Sequence, residues 1–381
     1  MDLLNRREFL RAGALTGVGV LAGPFINRGR YSLFADERVD YSARAVELVG
    51  RSIVIDMLGL LTLDWPKLYA WQREPSGFAP ADLQKLQRSG VNVFHPAVEP
   101  NEPHPYEGSL EWISGWNRLL AKRPDCFLRI DSARDFQRVR EEKKVGILLG
   151  FQNSDHFRIV EDVQRFQALG QRVSQLTYNA RNRLGCGCFE TRDTGLSPYG
   201  AQIVEAMNRT GMAVDVSHCS ERTSLDAFAV SRKPVLVTHS NCRAIAANPR
   251  CKSDAVIKAM AARGGVMGIT LVAAFVSSRQ PATIENVLDH FDRVVRLAGV
   301  EHVGLGSDMD LDALDPHTGR VRPRFDVHGL APARRVFDLT AGLIRRGYDD
   351  RAIELILGGN FQRALAEIWN VAPPTATVVA S

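Results

Sequence analysis

The sequence predicts an α/β protein of the closed (β/α)8 TIM-barrel class, on three observations. Eight short β-rich runs alternate with amphipathic helical stretches after residue 50. Most of these runs are continuously hydrophobic, as parallel strands covered on both faces are. No glycine-rich phosphate loop follows the first run, where Met57-Leu58-Gly59-Leu60 stands instead, and this argues against the rival doubly wound open sheet.

In chain order the runs cover residues 52–58, 92–98, 146–153, 172–179, 212–218, 234–240, 266–272 and 302–310. Between them, residues 132–144 predict a helix with Arg134, Asp135, Arg138, Arg140, Glu141 and Glu142 turned to solvent. Segments 253–263 and 283–297 have the same character, and Ser253 and Thr283 stand where N-caps belong. Gly90, Gly170, Gly211, Gly264 and Gly299 stand just past expected helix ends. Residues 333–369 predict further helices after the last strand, and 373–381 a flexible tail. With no repeat, low-complexity tract or long linker, residues 36–372 are expected to form a single barrel domain.

The chain has 381 residues, 45% of them hydrophobic, which is enough to bury one large core. Its formal charge of +5 is carried partly by Arg6, Arg7, Arg11, Arg28 and Arg30, so the folded body is close to neutral and nucleic acid is not an expected partner. Asn5-Arg6-Arg7-Glu8-Phe9-Leu10-Arg11, followed by a small, weakly hydrophobic run from Ala12 to Ile26, resembles a twin-arginine export signal over residues 1–35. An ordinary charged start before a signal anchor is the alternative. Either reading places the protein outside the inner membrane, periplasmic or, with an uncleaved signal, tethered to the outer side of that membrane. Cys186, Cys188, Cys219, Cys242 and Cys251 fall in or beside loops on one face; small buried side chains are their default reading, and a disulfide or thiolate ligand the alternative.

Active sites of such barrels lie at the C-terminal ends of the strands. The residues expected there are Leu58 and Leu60, Gln152 and Asn153, Tyr178 and Asn179, His218, His239, and Asp308 with Asp310. Two histidines and an aspartate converging from strands five, six and eight suit a metal-dependent hydrolase: neutral imidazoles bind the ion, and the carboxylate handles the proton of the attacking water. His95 and His156 are read as structural, with His95 the one that a vacant ligand position would recruit.

A set of motifs then narrows the reading. Leu176-Thr177-Tyr178-Asn179 with Asn182-Arg183-Leu184-Gly185, Asp215-Val216-Ser217-His218, Thr238-His239-Ser240-Asn241-Cys242-Arg243-Ala244, Gly304-Leu305-Gly306-Ser307-Asp308-Met309-Asp310 and Ile356-Leu357-Gly358-Gly359-Asn360-Phe361 resemble, in order, the membrane (renal) dipeptidase-like family of zinc peptidases. The resemblance runs over most of residues 50–370 and implies the same barrel. It implies that His218 and His239 bind the second zinc, that Asp308 protonates the leaving amine, and that Arg250, in Asn248-Pro249-Arg250, holds the substrate's terminal carboxylate. It is also compatible with a homodimer.

Three positions depart from the family pattern. Leu58 and Leu60 replace a His-x-Asp pair, Gln152 replaces the metal-bridging glutamate, and Tyr178 replaces a histidine that polarises the substrate carbonyl. The first two changes remove the protein ligands of the first zinc and leave an apolar corner, so at most one zinc ion is expected. Asp308, or a thiolate from Cys219 or Cys242, would complete three protein ligands. The Gln152 amide could still offer one weak oxygen to that ion; Gln152 and Asn179 are otherwise polar groups for the substrate, and the Tyr178 hydroxyl a donor to a developing oxyanion. The expected activity is a dipeptidase-type hydrolysis of a small peptide-like substrate. A non-catalytic barrel that binds a peptide or cell-wall fragment is the alternative.

Overall fold

The protein is described by a computed structural model covering residues 29–34, 39–100, 103–315 and 318–371. The twin-arginine motif and the tail from 373 lie outside the described residues. The eight expected runs each contain a strand of the barrel: β1 (Ile55–Asp56), β2 (Val93–Phe94), β3 (Val145–Ile147), β4 (Val173–Gln175), β5 (Ala213–Asp215), β6 (Val237–Ser240), β7 (Met267–Ile269) and β8 (Val303–Leu305).

Every neighbouring pair in the barrel is parallel. Ile55 is in register with Val93 and Val93 with Gly146. The third run continues into Gly150–Phe151, which pairs with β4, and β4 pairs with β5. A bridge from Asp215 to Leu236 joins β5 to β6, β6 pairs with β7 and β7 with β8, and Leu305 against Asp56 closes the ring. Ile55, Val93, Ile147, Val173, Val214, Val237, Ile269 and Val303 are each at most 1% exposed, so the continuous hydrophobicity of the runs reflects burial on both faces.

Helix termini follow the sequence. Ser253 accepts from the Val256 N–H and Thr283 from the Asn286 N–H, starting Asp254–Ala262 and Ile284–Ala298. Gly211, with φ 73°, ends Pro198–Thr210 in the left-handed conformation that a Cβ disfavours. One expectation is corrected. Asp135, placed among the solvent-facing charges of its helix, is buried, because its carboxylate accepts from the Asp131 and Ser132 N–H groups and the Ser132 hydroxyl and caps the helix start.

The structure adds elements that periodicity did not mark. Phe127–Arg129 pairs with β3 on the side away from β2. Arg30–Ser32 pairs antiparallel with Asp40–Ser42, and Phe34 packs edge-on against Tyr41 and Phe337. Ala282–Thr283 pairs with Val327–His328, pinning the long segment after β8. Among the described residues no helix is long and apolar enough to cross a membrane.

Candidate metal and catalytic site

His218 and His239 leave the ends of β5 and β6 and meet, with their Nε2 atoms 3.0 Å apart. Their other ring nitrogens are fixed from outside. His218 Nδ1 lies 2.7 Å from Asn179 Oδ1, an acceptor, so Nδ1 carries the proton. His239 Nδ1 lies 2.8 Å from Thr238 Oγ1, whose own hydrogen goes to Asp215 Oδ2 at 2.7 Å, so this nitrogen is again the donor. Both Nε2 lone pairs are therefore bare and face each other. Burial, helped by Arg250, by Lys252 and by the other ring or a third histidine, holds both imidazoles well below their ordinary pKa, so a proton does not bridge them at neutral pH. A pair of neutral imidazoles, each oriented by a hydrogen bond at its far nitrogen, is the donor set of a divalent metal site.

The remainder of a binuclear centre is not there. Leu58 and Leu60 are buried at the end of the first run and offer no donor. The Gln152 amide donates to the Ala97 carbonyl at 3.1 Å. Cys219 and Cys242 do not present thiolates: burial pushes the first up to about 11 and the second to about 12, and their sulfurs lie against Thr177 Oγ1 and the His290 carbonyl. Among the described residues no three His, Cys, Asp or Glu side chains are grouped for a metal. The histidine pair thus offers two nitrogen donors to a metal, and among the described residues no third protein ligand stands with them. All six cysteines are unpaired, and Cys188 alone is half-buried rather than buried.

Tyr178 stacks on His218, with ring centroids 4.3 Å apart and planes at 23°. Burial and the nearby Asp308 and Glu99 charges raise its hydroxyl pKa, so it stays a proton donor. Asp308 stands at the end of the eighth run, its N–H bonded to the Leu58 carbonyl at 2.8 Å. Burial pushes its carboxyl up to about 6 against the opposing pull of Arg324 and Arg250. Asn179 and Asp308, with φ of 60° and 61°, are both non-glycine residues in the left-handed region, and both sit at the barrel mouth.

Arg250 reaches the two histidine-bearing strand ends. It is 1% exposed, and its terminal nitrogens donate to the Ser217 carbonyl at 2.6 Å and the His239 carbonyl at 2.9 Å, bracing the two strand ends. Its Nε alone is left without a partner. Asp310 accepts from the Leu63 N–H, and Asn153 accepts from Ser154 and Asn182. His95 donates from Nδ1 to the Leu148 carbonyl, and His156 lies among Phe151, Phe157 and Phe166, as their structural reading expected.

Sequence reading missed the roles of four residues. Lys252 is buried, pushed down to about 8 by desolvation, and donates to the Val216 and Cys219 carbonyls on either side of His218. Asp215 and Thr238 orient His239, and the Asp-Val-Ser-His and Thr-His spacings carried that signal. Arg324 stands beside Asp308 from a loop that held no signal.

The model of the family described as Membrane dipeptidase (Peptidase family M19) matches residues 42–378. The chain is 32% identical over 289 residues to dipeptidase tcpJ of Claviceps purpurea, covering 74% of this chain and 64% of that protein. It is 34% identical over 269 residues to dipeptidase verJ of Clonostachys rogersoniana, covering 69% and 66%. The match thus spans slightly less than two thirds of these relatives' own length. Among solved structures, an amidohydrolase from Pseudomonas aeruginosa superposes with TM-score 0.73 and 28% identity over 85% of this chain and 99% of that one. The probable dipeptidase PvdM from the same organism has the same fold, with TM-score 0.72 and 22% identity over 86% and 98%. Motifs, barrel and family match coincide: the chain belongs to the membrane dipeptidase family, peptidase family M19.

Proposed function

We propose that the protein is a dipeptidase-type hydrolase that cleaves the amide of a dipeptide or similar small molecule using one metal ion. The observation that carries this reading is the pair of bare Nε2 atoms 3.0 Å apart at the ends of β5 and β6. A zinc ion on His218 and His239 would supply Lewis acidity and lower the pKa of water toward neutrality. This chain's own groups do the rest. Asn179 and Thr238 hold the rings, Tyr178 offers a hydroxyl donor for charge developing on the carbonyl oxygen, and Asp308 accepts the proton of water and returns it to the leaving amine. Relatives named as dipeptidases support the reaction class.

The test is elemental analysis paired with hydrolysis of a dipeptide library. About one zinc per chain is expected, with turnover lost on chelation, regained with zinc and abolished in His218→Ala. Protein that binds no divalent metal, with hydrolysis unchanged in His218→Ala, would overturn the proposal. Buried Leu58 and Leu60 favour a second reading, a peptide-binding barrel without turnover. Peptide binding without hydrolysis in the zinc-loaded protein would select it.

The same proposal takes the chain to be exported through its twin-arginine segment, periplasmic or tethered to the membrane. Replacing Arg6 and Arg7 with lysine should retain it in the cytoplasm; unchanged export would refute that route.

A further inference from the structure

We propose that the site takes amino acids carrying an uncharged, apolar N-acyl group in preference to dipeptides with a free ammonium, and that Leu58 and Leu60 set this preference. The inference rests on the dipeptidase-type reading and names the substrate class of that same site.

The direction in which the two leucines point follows from the strand end that carries them. Gly59 bridges in parallel to Met309, which puts these two residues on one face of the ladder. That face is the outer one. Met309 belongs to the apolar cluster that also holds Val336 and Leu339 of the helix Arg335–Arg345. A Cβ on Gly59 would stand 2.9 Å from the side chain of Asp56, which reaches out to Arg335 on the same helix. Leu58 and Leu60 alternate with Gly59, so they take the opposite face, toward the barrel interior.

There they stand beside the acid of the site. The Leu58 carbonyl accepts from the Asp308 N–H at 2.8 Å, and the Leu60 N–H donates to the Met309 carbonyl at 3.1 Å. Leu58 and Leu60 are 0% and 6% exposed, yet the two apolar clusters that take in their neighbours Met57 and Leu61 contain neither of them. Buried leucines that the core does not use form an apolar wall for a substrate.

An ammonium against that wall would lose its water without gaining an acceptor. The carboxylates around it are engaged: Asp56 by Arg335 and Ser307, Asp215 by Ser217 and Thr238, and Asp310 by the N–H groups of Leu63 and Ala313. Positive charge is already present, since Arg250 and Arg324 bear on Asp308, and Arg250 and Lys252 on His218. A metal would add to it. A propanoyl group has the shape of an alanyl group with hydrogen in place of the ammonium, so it meets the leucines without the loss. Glu99, on the loop after β2, is the carboxylate that a free ammonium would have to find.

The experiment uses the full chain loaded with zinc, and compares N-propanoyl-alanine with alanyl-alanine. Wild type should favour the propanoyl compound by about 10–100-fold in kcat/KM, the range of one unmet hydrogen bond of a charged group. Leu60→Asp supplies an acceptor for the ammonium and should reverse the ratio, whereas the uncharged Leu60→Asn should not reverse it. Should Leu60→Asp fail to fold, Leu60→Ala decides in its place: it admits water to the corner and should bring the ratio toward unity. Wild type that favours alanyl-alanine, as an ammonium held by Glu99 would give, overturns the inference, and so does a ratio unmoved in the folded variant. Should wild type hydrolyse neither compound, the proposed reaction fails, and calorimetric binding of the same two compounds decides the substrate class. Tighter binding of the propanoyl compound, levelled or reversed in the variant, supports it; equal binding, tighter binding of alanyl-alanine, or no binding overturns it.

Discussion

Asp308 carries the most direct consequences at the scale of single residues. Its carboxyl is pushed up to about 6, first by burial, with Arg324 and Arg250 opposing and Asp56 adding to the rise. As the group that takes a proton from water, it must start ionised, so kcat/KM should rise with pH through about 6. Removing the nearest opposing cation in Arg324→Ala should move that limb to higher pH, which a pH–rate profile reads. Asp308→Asn should lower kcat by about 10²–10⁴-fold. Stability should respond in the opposite sense. A folded pKa above the ordinary 3.8 means that the native state binds more protons than the unfolded chain between about 4 and 6. The Asp308 contribution to stability is therefore present below about 4 and lost as pH rises through 6, and Asp308→Asn removes that loss. Melting temperatures of the two proteins should converge at low pH, with the variant higher at pH 7. Equal differences at both ends would refute the assignment. His218, His239 and Asp308 were legible in the sequence because each ends a hydrophobic run. Arg324 was not, because it shares a loop with Arg320 and Arg322 and no local pattern separates a rim residue from its solvated neighbours.

At the scale of elements, the loop between β4 and Pro198–Thr210 supports the first histidine. The Cys188 N–H donates to the His218 carbonyl at 2.8 Å, and Gly187 bridges to Cys219, which brings the loop backbone against Asn179. A Cβ at Gly187 would stand 2.2 Å from the Asn179 carbonyl carbon and oxygen, and backbone cannot yield as a flexible side chain would. Gly187→Ala should therefore cost about 1–3 kcal/mol and displace Asn179 from His218. Asn179→Ala removes the same hydrogen bond without the collision, so it should weaken zinc binding by about 10–100-fold with a smaller change in melting temperature. Calorimetric zinc titration beside thermal unfolding separates the two; equal stability losses would show that the close approach is not the constraint. Strand and helix positions here were readable from hydrophobic runs and caps. The strand Phe127–Arg129 was not, because three residues between Asp125 and Asp131 show neither period. Asp135 was misplaced for a related reason: a charge in a helix's first turn reads as solvated unless the cap geometry is known.

At the scale of the whole molecule, the barrel closes on a buried ion pair. Asp56 and Arg335 are both fully buried, and Asp56 Oδ2 accepts from Arg335 Nε at 3.1 Å and Nη2 at 2.9 Å and from the Ser307 hydroxyl at 2.6 Å. Its other oxygen accepts from the Ser307 N–H at 2.8 Å, and Arg335 continues to the Asp310 and Pro332 carbonyls. One carboxylate thus joins the first strand, the last strand and the helix Arg335–Arg345, and sets both ends of the segment that carries Asp308 and Arg324. Nothing local in the sequence announces this, since Asp56 looks like one polar residue in a strand and its partners lie at the far end of the chain. The pair also separates two costs. Arg335→Met leaves Asp56 as an uncompensated buried charge and should cost about 3–5 kcal/mol, a large share of a typical domain's 5–15 kcal/mol. Combining it with Asp56→Leu removes the charge along with its partner, and should recover part of that loss while leaving the Ser307 groups unpaired. Urea unfolding of the three proteins measures both steps. A double variant no more stable than Arg335→Met would show that the seam depends on the hydrogen-bonded carboxylate itself rather than on charge balance.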